Sequence, residues 1–193
     1  PQSLNLVTFC KDLTVDYEAL CQQKNIIFHF LPSRTIIRVE FDPEKMEILL
    51  SNLISNAFKY TPEGGKIVLS IDETDEKVTL VVEDNGIGIQ KEFQEVIFDR
   101  FFQIENTEIF STGDGIGLSF VKHLVELHDG TIRVESELNK GAKFIVELPK
   151  KERVDEPVSS EEEIIIVPKS VKENMLVVTE SASSPAAPHT LLI

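Results

Sequence analysis

Asn52-Leu53-Ile54-Ser55-Asn56-Ala57-Phe58-Lys59-Tyr60 closes an amphipathic helical pattern, yet two asparagines and a lysine interrupt it in register. Met46, Leu49, Leu50, Leu53, Ile54, Ala57 and Phe58 recur at the three-and-four spacing of a buried helical stripe. Asn52, Asn56 and Lys59 follow the same spacing and form a second stripe along its flank. Asparagine is a poor helix-interior residue, costing about 0.5–0.7 kcal/mol relative to alanine. Two of them one turn apart, followed by a cation, read either as amide oxygens held for a metal or polar ligand or as a solvated flank. The helix alone leaves both readings open.

The surroundings of this helix define a fold. Upstream, Asp42-Pro43-Glu44 is a helix start, with an N-cap carboxylate, proline at the first helical position and an acid in the first turn. Residues 6–23 carry helical spacing through Phe9, Leu13, Tyr17, Leu20 and Cys21, and 26–31 and 36–41 read as short strands around Pro32-Ser33-Arg34. Downstream, Thr61 to Gly65 ends the helix; Ile67, Leu69, Ile71 and then Val78, Leu80, Val82 alternate as a strand pair. A short helical piece is expected over 91–100, with Phe93, Val96 and Ile97 as its apolar side. A further helix opens at Gly113 to Leu118 and stops at Asp129-Gly130, and strands follow at 131–137 and 142–148. The order predicts an α+β domain: a two-layer α/β sandwich with a mixed, mostly antiparallel sheet and helices on one face.

Composition bounds the rest. The 193 residues allow one ordinary domain plus extra sequence, and the formal net charge of −14 argues against direct nucleic-acid binding, which needs a basic face. An anionic ligand would have to be held by local groups against the overall field. Cys10 and Cys21 have no metal-ligand companions and read as buried, reduced thiols. The four histidines, at 29, 123, 128 and 189, show no ligand or triad spacing, and 123 and 128 read as ordinary helical or capping residues. No apolar run approaches the roughly 18–20 residues of a membrane span, and a cytoplasmic location is expected. Residues 151–188 are rich in acids, Ser, Pro and Ala and read as a disordered linker; 189–193 (His189-Thr190-Leu191-Leu192-Ile193) read as the first residues of a buried strand. A start on Pro1-Gln2-Ser3 points to a piece of a longer protein.

Two glycine motifs carry further chemistry. Gly86 and Gly88 follow a strand ending in Asp84, so backbone could approach a flat ligand while the carboxylate accepts from an exocyclic amine. Asp84-Asn85-Gly86 is equally an ordinary tight-turn sequence. The set Gly113, Gly115, Gly117 fails as a dinucleotide fingerprint, because Leu118 breaks the pattern and a polar loop precedes it; it lacks the Walker ending too. What survives is a glycine-rich loop feeding a helix N-terminus, whose free N–H groups and dipole suit a phosphate. Phe98, Phe101 and Phe102 read as core or flap packing between the two motifs, with room for a mobile lid.

Taken in order, these segments resemble the catalytic and ATP-binding domain of sensor histidine kinases, with its Bergerat-type nucleotide pocket. The resemblance spans Leu4 to Pro149, within a domain drawn at 1–150. It rests on an N box (Asn52 to Tyr60), a first glycine box (Asp84 to Gly88), a phenylalanine box (Phe98-Asp99-Arg100-Phe101-Phe102), a second glycine box (Gly113 to Leu118) and a closing turn at Gly141. Five ordered boxes are far more specific than any one.

The resemblance implies ATP and Mg2+ as cofactors and assigns roles. Asn56 would be the magnesium ligand, with Asn52 supporting the same polar wall. Lys59 would meet phosphate and Tyr60 would pack on adenine. Asp84 would read the adenine amino group, while Gly86, Gly88 and Ile89 shape the base pocket. Residues 103–112 would form the ATP lid, and Thr112, Gly113, Gly115, Gly117 and Leu118 would border the phosphates. Where the family often has an arginine this chain has Gln103, and Arg100 is the candidate substitute. The implied activity is γ-phosphoryl donation to a histidine on a dimerisation and histidine phosphotransfer domain of the same protein, whose helices are expected before Pro1; this stretch alone would be monomeric and unable to autophosphorylate. The parent would be a homodimeric, membrane-anchored hybrid kinase, with residues 189–193 opening a receiver domain, and a receiver in cis or a response regulator as the next partner. The alternatives are an ATP-hydrolysing conformational switch of the same fold, as in gyrase and heat-shock chaperone ATPases, or a nucleotide-binding interaction domain of reduced activity. The switch class normally has a glutamate base one turn before Asn56; here that position is Asn52, which cannot take a proton.

Overall fold

The computed structural model of the protein describes residues 1–102 and 116–150. All of these belong to one compact unit, Pro1–Arg153. The expectations for the lid at 103–112, for Gln103, Thr112, Gly113 and Gly115, and for the stretches 151–188 and 189–193 lie outside the described residues.

The asparagine-bearing segment forms helix α2, Pro43–Tyr60, as its sequence predicts. Asp42 caps it, the side chain accepting from the Lys45 N–H at 3.3 Å, and Pro43 needs no hydrogen-bond partner at the first position. Met46, Leu49, Leu50, Leu53, Ile54 and Ala57 are all buried. Each fully buried Leu or Ile contributes about 1.5–3 kcal/mol, which outweighs the small intrinsic cost of the two asparagines. At the carbonyl end, Lys24 Nζ donates to Phe58 O at 3.1 Å and Thr61 O at 3.2 Å, placing a cation where the helix dipole favours one.

Helix α1 (Leu6–Gln23) and helix α3 (Gly117–Leu127) complete the helical layer. Beneath it lies a five-stranded sheet in the order β2-β4-β5-β7-β6, from β2 (Ile27–Pro32), β4 (Lys66–Glu73), β5 (Lys77–Asp84), β6 (Thr131–Glu137) and β7 (Gly141–Pro149). Only β2 and β4 pair in parallel; the other ladders are antiparallel. Register aligns Leu69 with Val82 and Val82 with Phe144, so Ile67, Leu69, Ile71, Val78, Leu80, Val82, Phe144, Val146 and Leu148 share the buried face. The mixed two-layer sandwich matches the expected fold class. Asp84 continues the series 78, 80, 82, and this period-two alternation aims a carboxylate at the helical layer.

Three features depart from the sequence reading. β1 (Gln2–Asn5) pairs antiparallel with β3 (Arg38–Phe41) as a separate two-stranded sheet. Its register is secured by Asn5, whose Oδ1 accepts from Val7 N and Ile37 N. The helix expected over 91–100 is a single 3-10 turn at Lys91–Phe93 followed by turns, because its side chains are drawn to different neighbours. Phe98 stacks edge-on against Phe144 and Phe93 packs on Phe102. The phenylalanine cluster is also split, since Phe101 is 74% exposed.

Candidate functional site

α2 and α3 run antiparallel. Near one end of the pair, a Cβ added at Gly117 would stand 2.9 Å from Asn52 Oδ1. At the other, the Asp42 N–H donates to His128 Nε2 at 3.2 Å. Asn52 is half-buried, and its Nδ2 donates to Ile48 O at 2.7 Å. Its amide is thus oriented with the oxygen toward the N-terminus of α3.

The C-terminal end of α2 meets the loop after β5. Ile87 N donates to Tyr60 O at 3.3 Å, and a Cβ at Gly86 would run into that same carbonyl. Asn52 and Tyr60 lie about 12 Å apart along the helix at 1.5 Å per residue, with Asn56 midway. The half-buried Asn56 therefore lies along α2 between the α3 N-terminus and the glycine loop. Lys59 Nζ lies 5.1 Å from the Tyr60 ring centroid on the same stretch.

Asp84 anchors the loop and is 8% exposed. Its Oδ1 accepts from Gly86 N at 2.8 Å, and the Ala142 N–H also donates to its carboxylate. The tight-turn reading of Asp84-Asn85-Gly86 is met by the Gly86 N–H bond to a carboxylate that is also buried. Burial raises its pKa above the ordinary value; the donors from Gly86 and Ala142 oppose this and the Glu83 charge adds to it.

Gly88 and Gly141 are required by backbone geometry. Gly88 has φ +67° and a Cβ there would strike the Glu137 carbonyl; Gly141 has φ +97° and a Cβ there would strike the Asp84 carbonyl. The β6–β7 turn is thus pressed against the glycine loop, and Asn139 N donates to Ile87 O at 2.7 Å. Ile89 is partly buried against the core.

The structure brings Asn52, Asn56, Lys59, Tyr60, Asp84, Gly86, Gly88, Ile89, Gly117 and Leu118 onto three adjoining segments: the flank of α2, the glycine loop and the first turn of α3. Arg100 is exposed in the turn before Phe101. Among the described residues no group of His, Cys, Asp and Glu is placed to hold a metal ion. An asparagine amide is still a suitable oxygen ligand for a hard cation that takes its remaining oxygens from phosphates and water. Sequence reasoning missed Lys24, Gln94 and Ser136, which brace these segments. Ser136 left one signal: it follows Ile132 and Val134 on the inward-facing positions of β6, a hydroxyl where the alternation calls for an apolar side chain.

Comparison with known proteins adds relatives. The family described as histidine kinase-, DNA gyrase B-, and HSP90-like ATPase matches residues 41–152. Histidine kinase P4 of Formosa agariphila is 38% identical over 149 residues, covering 75% of this chain and 11% of the relative. Hybrid signal transduction histidine kinase D of Dictyostelium discoideum is 34% identical over 161 residues, covering 80% of this chain and 10% of the relative. The chain thus spans about a tenth of the length of these two curated relatives. Among solved structures, the catalytic domain of histidine kinase ThkA is 33% identical with a TM-score of 0.70, covering 77% of this chain and 97% of that one. The same kinase in complex with response regulator protein TrrA matches with a TM-score of 0.66 at 31% identity, covering 78% of this chain and 42% of that one.

Proposed function

The chain belongs to the histidine kinase-, DNA gyrase B-, and HSP90-like ATPase family, and on that premise we propose that it is the nucleotide-binding catalytic domain of a protein-histidine kinase. It binds ATP with magnesium and presents the γ-phosphoryl group to a histidine on a dimerisation and phosphoacceptor domain. The bond from the γ-phosphorus to the bridging oxygen breaks as a bond to the imidazole nitrogen forms, and ADP leaves. The observation that carries this reading is the place of Asn56, on α2 midway between the α3 N-terminus and the glycine loop held by Asp84.

The division of labour follows the electrostatics. With a net charge of −14, the protein repels a polyanion overall, so Lys59 and the positive end of α3 supply the local attraction. Magnesium, bound through the Asn56 amide oxygen, would offset charge on the phosphates. Asn52 buttresses this wall, Tyr60 borders the base, and the Asp84 carboxylate accepts from the adenine amine while Gly86, Gly88 and Ile89 leave room for the ring. Gly117 and Leu118 offer first-turn N–H groups to phosphate; Thr112, Gly113 and Gly115 are assigned the same neighbourhood by sequence alone, and Arg100 the role of a supplementary cation.

Asn52 separates this reading from a hydrolytic switch. An amide with Nδ2 tied to the Ile48 carbonyl cannot act as a base toward water. The proposed acceptor is therefore a protein side chain. A hybrid histidine kinase among the relatives and a similar kinase solved with a response regulator support a receiver domain in cis or a response regulator as the next partner. To the same parent we assign a phosphoacceptor domain, a homodimeric state and a membrane anchor. No helix among the described residues is long and apolar enough to cross a membrane.

Calorimetric titration with ATP, with and without magnesium, tests the pocket; no binding at millimolar ATP refutes the reading. Addition of the phosphoacceptor domain in trans should then yield acid-labile phosphohistidine, whereas phosphate release without it would favour the switch.

A further inference from the structure

The glycine loop is braced by side chains that the proposed site does not include. Ile89 belongs to no strand, yet both of its backbone groups are taken. Its N–H donates to Ser136 Oγ at 2.8 Å, and its carbonyl accepts from Gln94 Nε2 at 3.0 Å. The same Nε2 donates to the Ser136 carbonyl at 2.8 Å, and the Ser136 hydroxyl donates onward to Gly141 O at 2.7 Å. Both partners of the Gln94 amide are carbonyls, so its NH2 group must face them and the orientation is unambiguous. Two residues earlier, Ile87 is held by Tyr60 O on one side and Asn139 N on the other.

The loop carrying Gly86, Gly88 and Ile89 thus takes its shape from a closed ring joining it to β6, to the β6–β7 turn and to the segment after the 3-10 helix. Polar groups linked in this way hold one another in place more firmly than separate pairs do. A cleft of about 410 Å3 opens beside the ring between Lys91, Gln94, Glu137 and Leu138. Loss of a clamp bond therefore gives the loop space to shift locally, away from the helical core.

We propose that Ser136 and Gln94 are positioning residues that fix the first glycine loop and thereby set the protein's preference for the adenine base. This rests on the nucleotide-binding reading above. Neither side chain is assigned a contact with the nucleotide; each acts through the backbone of Ile89. Breaking the clamp should loosen the base half of the pocket while leaving the phosphate half, formed by α2 and α3, intact.

The test compares ATP and GTP affinities, by calorimetry with magnesium, for the full chain and for Ser136→Ala, Gln94→Leu and Ser136→Thr. Losing one or two positioning hydrogen bonds should weaken ATP by about tenfold. GTP affinity should change little, so the ATP-to-GTP ratio collapses in Ser136→Ala and Gln94→Leu. Ser136→Thr, which keeps the hydroxyl, should retain the ratio. Hydrogen exchange at the Ile89 amide should quicken in Ser136→Ala. Gln94→Leu changes no residue of the sheet itself and serves as the deciding variant if Ser136→Ala does not fold. An unchanged ratio in a folded Gln94→Leu protein overturns the proposal while the nucleotide reading stands, and so does an equal loss of ATP and GTP, which would mark a purely structural role. If the unmodified chain binds neither nucleotide, the reading beneath it fails and takes the proposal with it.

Discussion

His128 accepts the backbone N–H of Asp42 at 3.2 Å, and its other ring nitrogen lies 2.7 Å from the Leu124 carbonyl. A carbonyl can only accept, so Nδ1 carries the proton and Nε2 supplies the lone pair. One imidazole thereby closes the last turn of α3 and joins it to the cap of α2. It thus ties the two helices of the proposed phosphate wall at the end away from the close approach of Gly117 to Asn52.

His128→Leu should therefore destabilise the domain by about 1–3 kcal/mol, the cost of leaving a partly buried N–H and a helix-end carbonyl unmet. Urea denaturation of the two proteins measures it. Nitrogen NMR of the imidazole should find the proton on Nδ1 in the folded state. An unchanged urea midpoint would mean that the link contributes nothing.

Gly141 and Gly64 both have positive φ, at +97° and +77°, but only Gly141 is crowded. A Cβ at Gly64 meets nothing within 4 Å, so Gly64→Ala should cost only the left-handed penalty of about 1–2 kcal/mol. Gly141→Ala must in addition push the β6–β7 turn off the Asp84 carbonyl, and should cost about 3 kcal/mol or more. Thermal melts of the two variants side by side separate conformation from contact. Equal melting temperatures would contradict the close approach.

The contrast between these glycines also shows where sequence reading works. Alternation through Ile67, Leu69, Ile71 and Val78, Leu80, Val82, and the capped stripe of α2, are local patterns with one physical solution each. They made the sandwich, and Asn56 and Asp84 within it, legible in advance. The β1–β3 pair was not, because its partners are far apart in sequence and Asn5 secures the register through long-range bonds. The segment after Gln90 misled for a related reason. Phe93, Val96 and Ile97 have helical spacing, but Gln94, Phe98 and Phe102 are each bound to a different neighbour, and tertiary contacts outweigh weak local propensity. Lys24, Gln94 and Ser136 act on backbone carbonyls or amides, which leave almost no trace in the residue pattern.

Cys10 and Cys21 are buried and reduced in the structure. Burial pushes the Cys10 thiol up to about 12, and Cys21 is raised in the same sense, again chiefly by desolvation. At pH 8 neither should offer appreciable thiolate, and alkylation by iodoacetamide should be slow in the native protein. Mass spectrometry should find both modified promptly in denaturant. Rapid native labelling at Cys10 would show that the α1 packing opens readily.

Asp84 supplies the pH dependence. Its folded pKa is raised, mainly by burial, so its contribution to the stability of the free protein is full below the ordinary aspartate value. That contribution is lost as the pH rises through the raised folded value, where the buried carboxyl must ionise. Nucleotide binding has the opposite sense, because only the carboxylate accepts from an adenine amine. ATP affinity should be flat above the folded pKa and fall by up to about tenfold per pH unit below it. Asp84→Asn removes the titration, so the difference between the two proteins cancels the protonation of ATP itself. The variant should also bind ATP more weakly and lose preference for it over GTP. Calorimetry from the ordinary aspartate range up to about pH 8 decides: if the two proteins show parallel pH profiles and the same ATP-to-GTP ratio, Asp84 does not read the base.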